Sequence, residues 1–197
     1  MLDLLPIGAA CFGIPQYLPQ ILKLRRTGDT AGVSWSWATL TCINNAAWFC
    51  YFMASGYWTA SLPSTAASTL AGTVSLMLVR RGALNRRAVG WICTWVAMLA
   101  TAAILGGRIG LGTLLAAASV VQVTPSLWTA YRTARPTGIS AGTWALVFGE
   151  LSCWFVFGLC KADVRLVTLG ATGIVASLLM LARVHRAGVP SKCQVPA

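Results

Sequence analysis

Charge is what this sequence is short of. Charged residues make up 10% of its 197 positions, only four of them are acidic, and there is a single histidine. A soluble globular domain carries about 25% charged residues, so this chain cannot cover a water-facing surface. That excludes an ordinary soluble enzyme, and a hydrophobic content of 57% excludes a disordered chain as well. No nucleophile–base pair, metal-ligand cluster or phosphate-cradling glycine loop is present. No catalytic residue, metal or cofactor is therefore expected. The seven cysteines (Cys11, Cys42, Cys50, Cys93, Cys153, Cys160, Cys193) lack C-x-x-C spacing. Six lie in or beside apolar segments, where cysteine behaves as a small hydrophobe, so neither a disulfide framework nor a metal site is indicated. The N-terminus has no basic stretch ahead of its first apolar run, so a cleaved signal peptide is not expected.

Long apolar runs are what the sequence has instead. The mean hydropathy is +0.71, and continuous apolar stretches fall near 4–22, 33–54, 59–79, 88–106, 109–131, 139–160 and 166–182. Each is close to the ~20 residues that a helix needs to cross a bilayer. Backbone exposed to lipid must satisfy its own hydrogen bonds, which selects helices. Barrel strands would be short and alternating, and these runs are neither. The expected class is an all-α integral membrane protein of seven spans, with the lipid bilayer as its main partner. The pI near 10 would suit nucleic acid, but the basic residues sit in short clusters between apolar runs, so no nucleic acid partner is expected.

Those clusters set an orientation. Lys23, Arg25 and Arg26, then Arg80, Arg81, Arg86 and Arg87, then Arg132 and Arg135, and finally Arg183, Arg186 and Lys192 all fall on one side of the seven-span arrangement. Only Arg108, Lys161 and Arg165 fall on the other. The positive-inside rule puts the first side in the cytoplasm, with the N-terminus outside and the C-terminus inside a cell membrane.

The chain also repeats itself. A shift of 106 residues, without a gap, pairs Gln16 with Gln122, Pro19 with Pro125, Arg26 with Arg132, Gly32 with Gly138, Ser34 with Ser140, Trp48 with Trp154 and Arg80 with Arg186. Chance alignment of apolar helices would return mostly Ala and Leu. A three-helix unit starts and ends on opposite sides, so a single extra helix is needed to make two copies parallel. The expected organisation is 3+1+3: a first repeat over 1–82, a linker helix over 83–108, a second repeat over 109–188 and a cytoplasmic tail over 189–197. The pseudo-twofold axis of such a pair is a usual place for a substrate path.

The matched residues that depart from lipid chemistry are the candidate site. Trp48 and Trp154 lie ~21 Å along their helices from Ser34 and Ser140, at 1.5 Å per residue, and offer flat faces to a ligand. Asn44 and Glu150, four residues earlier, share the same helix face near mid-membrane. Glu150 is the only acid inside an apolar run, and intramembrane acids are usually functional. Pro19 and Pro125 would each delete a backbone hydrogen bond and kink a helix, giving paired hinges, with Gln16, Gln20 and Gln122 placed to bond the freed carbonyls.

Pro19-Gln20, followed by Arg26-Thr27, Gly32-Val33-Ser34 and then Trp48 in the next helix, resembles the PQ-loop superfamily. Within it the string is most similar to the SWEET and SemiSWEET sugar transporters in their two-repeat form. The second copy reads Pro125-Ser126, and where those relatives carry a pocket Asn in the third helix, Ser64 and Ser68, then Gly170 and Thr172, stand here. The resemblance implies bidirectional sugar uniport by alternating access, with Trp48, Trp154, Asn44, Glu150, Ser64 and Ser68 around the substrate and Pro19, Gln20 and Pro125 as hinge or gate. It leaves open a proton-coupled amino-acid or amine carrier, or a membrane cargo receptor, and a homo-oligomer.

Overall fold

The computed structural model describes residues 2, 4–27, 30, 34–84, 86–132 and 141–188. All of its regular structure is helical: α1 (Leu4–Gly13), a 3-10 turn (Ile14–Gln16), α2 (Leu18–Thr27), α3 (Trp35–Ala54), α4 (Trp58–Arg80), α5 (Arg86–Arg132), α6 (Ala141–Cys160) and α7 (Val164–Gly188). Four stretches are long and apolar enough to cross a membrane: Trp58–Arg80, Arg86–Thr124, Ala141–Cys160 and Val164–Arg186. The chain is a multi-pass membrane protein.

α5 is two helices. Gly107 has φ 55° and ψ −148°, which ends the helical path. A Cβ on Gly110 would lie 2.5 Å from the Ala102 carbonyl oxygen. In a straight helix these residues would be ~12 Å apart along the axis. The chain therefore folds back at Gly107, and the 86–106 limb lies antiparallel to the 108–132 limb. Gly107 occupies a backbone region that side chains with a Cβ scarcely enter.

The first helix departs from expectation. Sequence symmetry predicts a continuous 4–22 helix kinked at Pro19, matched by a kink at Pro125. Instead the helix stops at Gly13, passes through the 3-10 turn that holds Pro15, and restarts at Leu18. Pro19 then falls in the first turn of α2, where a missing N–H costs no hydrogen bond. The backbone stays helical through Pro125. The side chains of Pro19, Gln20 and Pro125 lie outside the described set.

Packing follows a regular pattern. α4 packs on α1, α2 and α3, and α7 packs on α5 and α6. Between these sets, α1 lies on α6 and α3 on α5. Under the 106-residue shift these last two contacts are counterparts of each other. Tight crossings rest on glycine: Gly158 meets the Leu166–Val167 backbone and Gly170 the backbone of Phe155, where a Cβ would not fit. The central core joins Trp48, Tyr51, Phe52, Leu99, Leu111, Leu115, Trp154, Phe157 and Leu166. A second cluster of Leu24, Ala38, Val74 and Leu78 sits toward the end that carries Arg25, Arg26, Arg80 and Arg81.

Candidate solute-binding site

A cavity of about 160 Å³ opens where the two helix sets meet. α3 supplies Thr41, Asn44, Asn45, Trp48 and Phe52 to its wall, and α4 supplies Pro63 and Ser64. From the other set come Ser119 and Gln122 of α5, then Glu150 and Trp154 of α6. Five of the six residues expected around a substrate thus line one space. Ser68 stands apart from it: its hydroxyl donates to the Cys42 carbonyl at 3.0 Å, joining α4 to α3.

The two tryptophans do not face each other across a gap. Phe52 lies between them, stacked 5.6 Å from Trp48 and 5.1 Å from Trp154, with the second pair only 9° from parallel. Residue 52 is paired by the repeat with Gly158. One ring therefore fills the space between the matched tryptophans, and the counterpart position is empty of side chain. The two Trp rings are almost fully buried, and the stack forms a rigid apolar end to the cavity.

Glu150 is held from the first helix. Gln16, in the 3-10 turn, donates from Nε2 to Glu150 Oε2 at 2.9 Å and also to the Phe12 carbonyl at 3.3 Å. The second bond is the expected satisfaction of a carbonyl beside a helix break. Gly13 is buried at the same point, and a Cβ there would lie 2.9 Å from the carboxyl carbon. The absence of a side chain at Gly13 is what admits the carboxylate. Asn44 is held as well: Trp95 of the 86–106 limb donates its indole N–H to Asn44 Oδ1 at 2.7 Å. Asn45 turns its amide back to the Thr41 carbonyl.

Past the aromatic stack, away from the arginine-rich end, a polar seal joins the two helix sets. Tyr51 of α3 donates its hydroxyl to Asp163, which is buried in the α6–α7 junction. Asp163 also caps α7, accepting the Arg165 backbone N–H at 3.1 Å, and its carboxylate is 3.6 Å from the Arg165 guanidinium. Lys161 lies 5.7 Å from the rings of both Tyr57 and Phe157. Sequence reading placed Lys161 and Arg165 at this end but missed Asp163. The available signal was a short Asp-x-Arg ahead of an apolar run, the pattern of a helix N-cap.

Phe52, Pro63, Leu115, Ser119 and Leu169 of the cavity wall, and Trp95 beside it, were not singled out by the sequence either.

Residues 1–61 match the family model of the PQ loop repeat. The matched stretch takes in α1, the 3-10 turn, α2, α3 and the start of α4, and so the Gln16, Asn44 and Trp48 side of the cavity. A search of curated proteins returns no match.

Proposed function

We propose that the chain is a small-molecule transporter of the PQ-loop type, moving a sugar by alternating access between two parallel three-helix repeats. The observation that carries this reading is the cavity at their junction. It holds about five waters' share of liquid volume, the scale of a small polar solute. Its wall combines amide, hydroxyl and carboxylate groups with indole rings. The reading counts seven spans as 3+1+3, with the Gly107 hairpin providing the linker and fifth spans. The mirrored contacts, α1 on α6 and α3 on α5, support the two-repeat division.

With the arginine-rich end in the cytoplasm, the Tyr51–Asp163 seal makes this the state closed to the outside. Rocking of the repeats about the Pro19 and Pro125 regions would exchange it for the state closed to the inside. The helix break at Ile14–Gln16 supports a hinge in the first repeat, because the chain there has already left the α-helical path.

A second reading, an amine or amino-acid carrier, is favoured by one observation. Glu150 lines the cavity, and among the described residues its lining includes no Lys or Arg. A cationic solute would supply the missing charge. Uptake into liposomes reconstituted with the purified chain, using labelled sugars and amino acids with and without a protonophore, separates the readings. Protonophore-insensitive sugar equilibration supports the first. Proton-driven accumulation of an amine replaces it with the second, and peptide binding without transport replaces both with a receptor.

A further inference from the structure

We propose that Trp95 is a specificity-determining positioning residue, which acts through Asn44 from a helix that belongs to neither repeat. The proposal rests on the reading of the cavity as a solute site. An indole N–H can only donate, so the branch of the Asn44 amide that it touches at 2.7 Å must be the carbonyl. The usual ambiguity of an amide's orientation is thereby removed. Asn44 spends its acceptor on Trp95 and keeps its N–H groups for the cavity it lines.

The repeat shows what Trp95 has replaced. Shifting by 106 carries Gln16 onto Gln122 and Glu150 onto Asn44. In the first pair, Gln16 donates directly to Glu150. In the second, Gln122 lines the same cavity, but the Asn44 acceptor is taken by the linker limb. Each matched polar residue is thus fixed by a donor from outside its own helix, and the donors differ. The result is a polarised site: N–H donors on the α3 side and carboxylate oxygen on the α6 side.

Trp95 is well placed for this work. It is half-buried, and it lines a neighbouring, mostly apolar cavity of about 530 Å³ between α3 and the two limbs of α5. Asn44 and Gln122 stand in the wall shared by the two cavities. The indole N–H is the donor that meets the Asn44 carbonyl from that apolar side, and removing it takes away this bond.

The test is a double-mutant cycle in proteoliposomes, with labelled D-glucose and L-lysine as the two probes and monodeoxyglucoses as competitors. Trp95→Phe keeps a ring and removes the N–H. For the better transported probe it should raise KM about tenfold, the scale of one lost hydrogen bond to a polar group, with the maximal rate little changed. It should also flatten the ranking of competitors. In an Asn44→Ala background the same change should add nothing further. Asn44→Asp, which as the carboxylate still accepts from Trp95 but presents no donor, should match Asn44→Ala at the alkaline end of the pH range tested, and it serves if Trp95→Phe does not fold. An unchanged KM and ranking in Trp95→Phe, or losses that multiply with Asn44→Ala, overturns the proposal and leaves the site standing. So does a parental KM in Asn44→Asp. If neither probe is transported, or if Asn44→Ala and Trp154→Ala both transport like the parent, the solute-site reading falls and takes this proposal with it.

Discussion

Asn44 and Glu150 differ in how far the sequence could describe them. Their pairing, their depth and their shared face with a tryptophan follow from the spacing of four residues and the 106-residue shift, and the cavity holds all four. What spacing could not show is how each is fixed, because Gln16 and Trp95 arrive from helices distant in sequence. Gly13 offers a sharp test. It has helical φ and ψ, so Gly13→Ala gains about 0.5–1 kcal/mol at most from helix propensity. Its new methyl group would displace the Glu150 carboxyl from Gln16, and a buried group that loses its partner costs about 1–3 kcal/mol. Gly13→Ala should therefore lower Tm modestly and cut transport several-fold. A variant with parental transport would mean that the Gln16–Glu150 contact does not matter to function. Glu150→Gln keeps shape and hydrogen bonding but cannot ionise. Under the sugar reading it transports at near-parental rate at every pH tested, whereas loss of pH-driven accumulation would favour the amine carrier.

Helices themselves were the most legible feature. Apart from the first, which is broken in two, each apolar run corresponds to a helix or a helix limb, because in lipid the backbone has no other way to satisfy its polar groups over such lengths. The first helix was misjudged for a physical reason. Of its three prolines, Pro6 sits in the first turn of α1 and the other two lie four residues apart; the repeat matches Pro19, whereas the break forms around the unmatched Pro15 and leaves Pro19 harmlessly in a first turn. At the other irregularity the sequence offered only Gly106-Gly107, and the structure uses Gly107 to reverse the chain. Gly107→Val should cost about 1–3 kcal/mol, because a branched side chain is forced into a region kept for glycine. Thermal unfolding of the purified protein should show this as a clear drop in Tm. Gly106→Val, which keeps an ordinary helical backbone and meets nothing within 4 Å, should show little change. Equal tolerance at both positions would contradict the hairpin.

At the scale of the whole molecule, the charge distribution and the seal make one linked prediction. On the proposed orientation, with the arginine clusters inside, Cys193, which lies outside the described residues, should react with impermeant thiol reagents only after cells are permeabilised. The opposite end should then face outward, closed by Tyr51 and Asp163. These two residues come from different helix sets, so the bond between them is made only when the sets close at that end. Removing the Asp163 carboxylate takes away the acceptor for Tyr51, the partner of Arg165 and the cap of α7 together. The cap alone is worth ~1 kcal/mol to the helix. A bistable carrier should respond by spending more time open to the outside. Ser64 reports on this, since it is buried in the cavity wall of α4, behind the seal. With the seven native cysteines replaced by alanine, Ser64→Cys should be nearly inert to an impermeant maleimide applied to intact cells. Adding Asp163→Ala should make it several-fold more reactive, and Asp163→Glu should fall between the two. Unchanged reactivity in Asp163→Ala would mean that the aromatic stack of Trp48, Phe52 and Trp154 closes the outer end without help from the polar seal. Labelling of Cys193 from outside would invert the orientation, and the seal would then guard the cytoplasmic mouth.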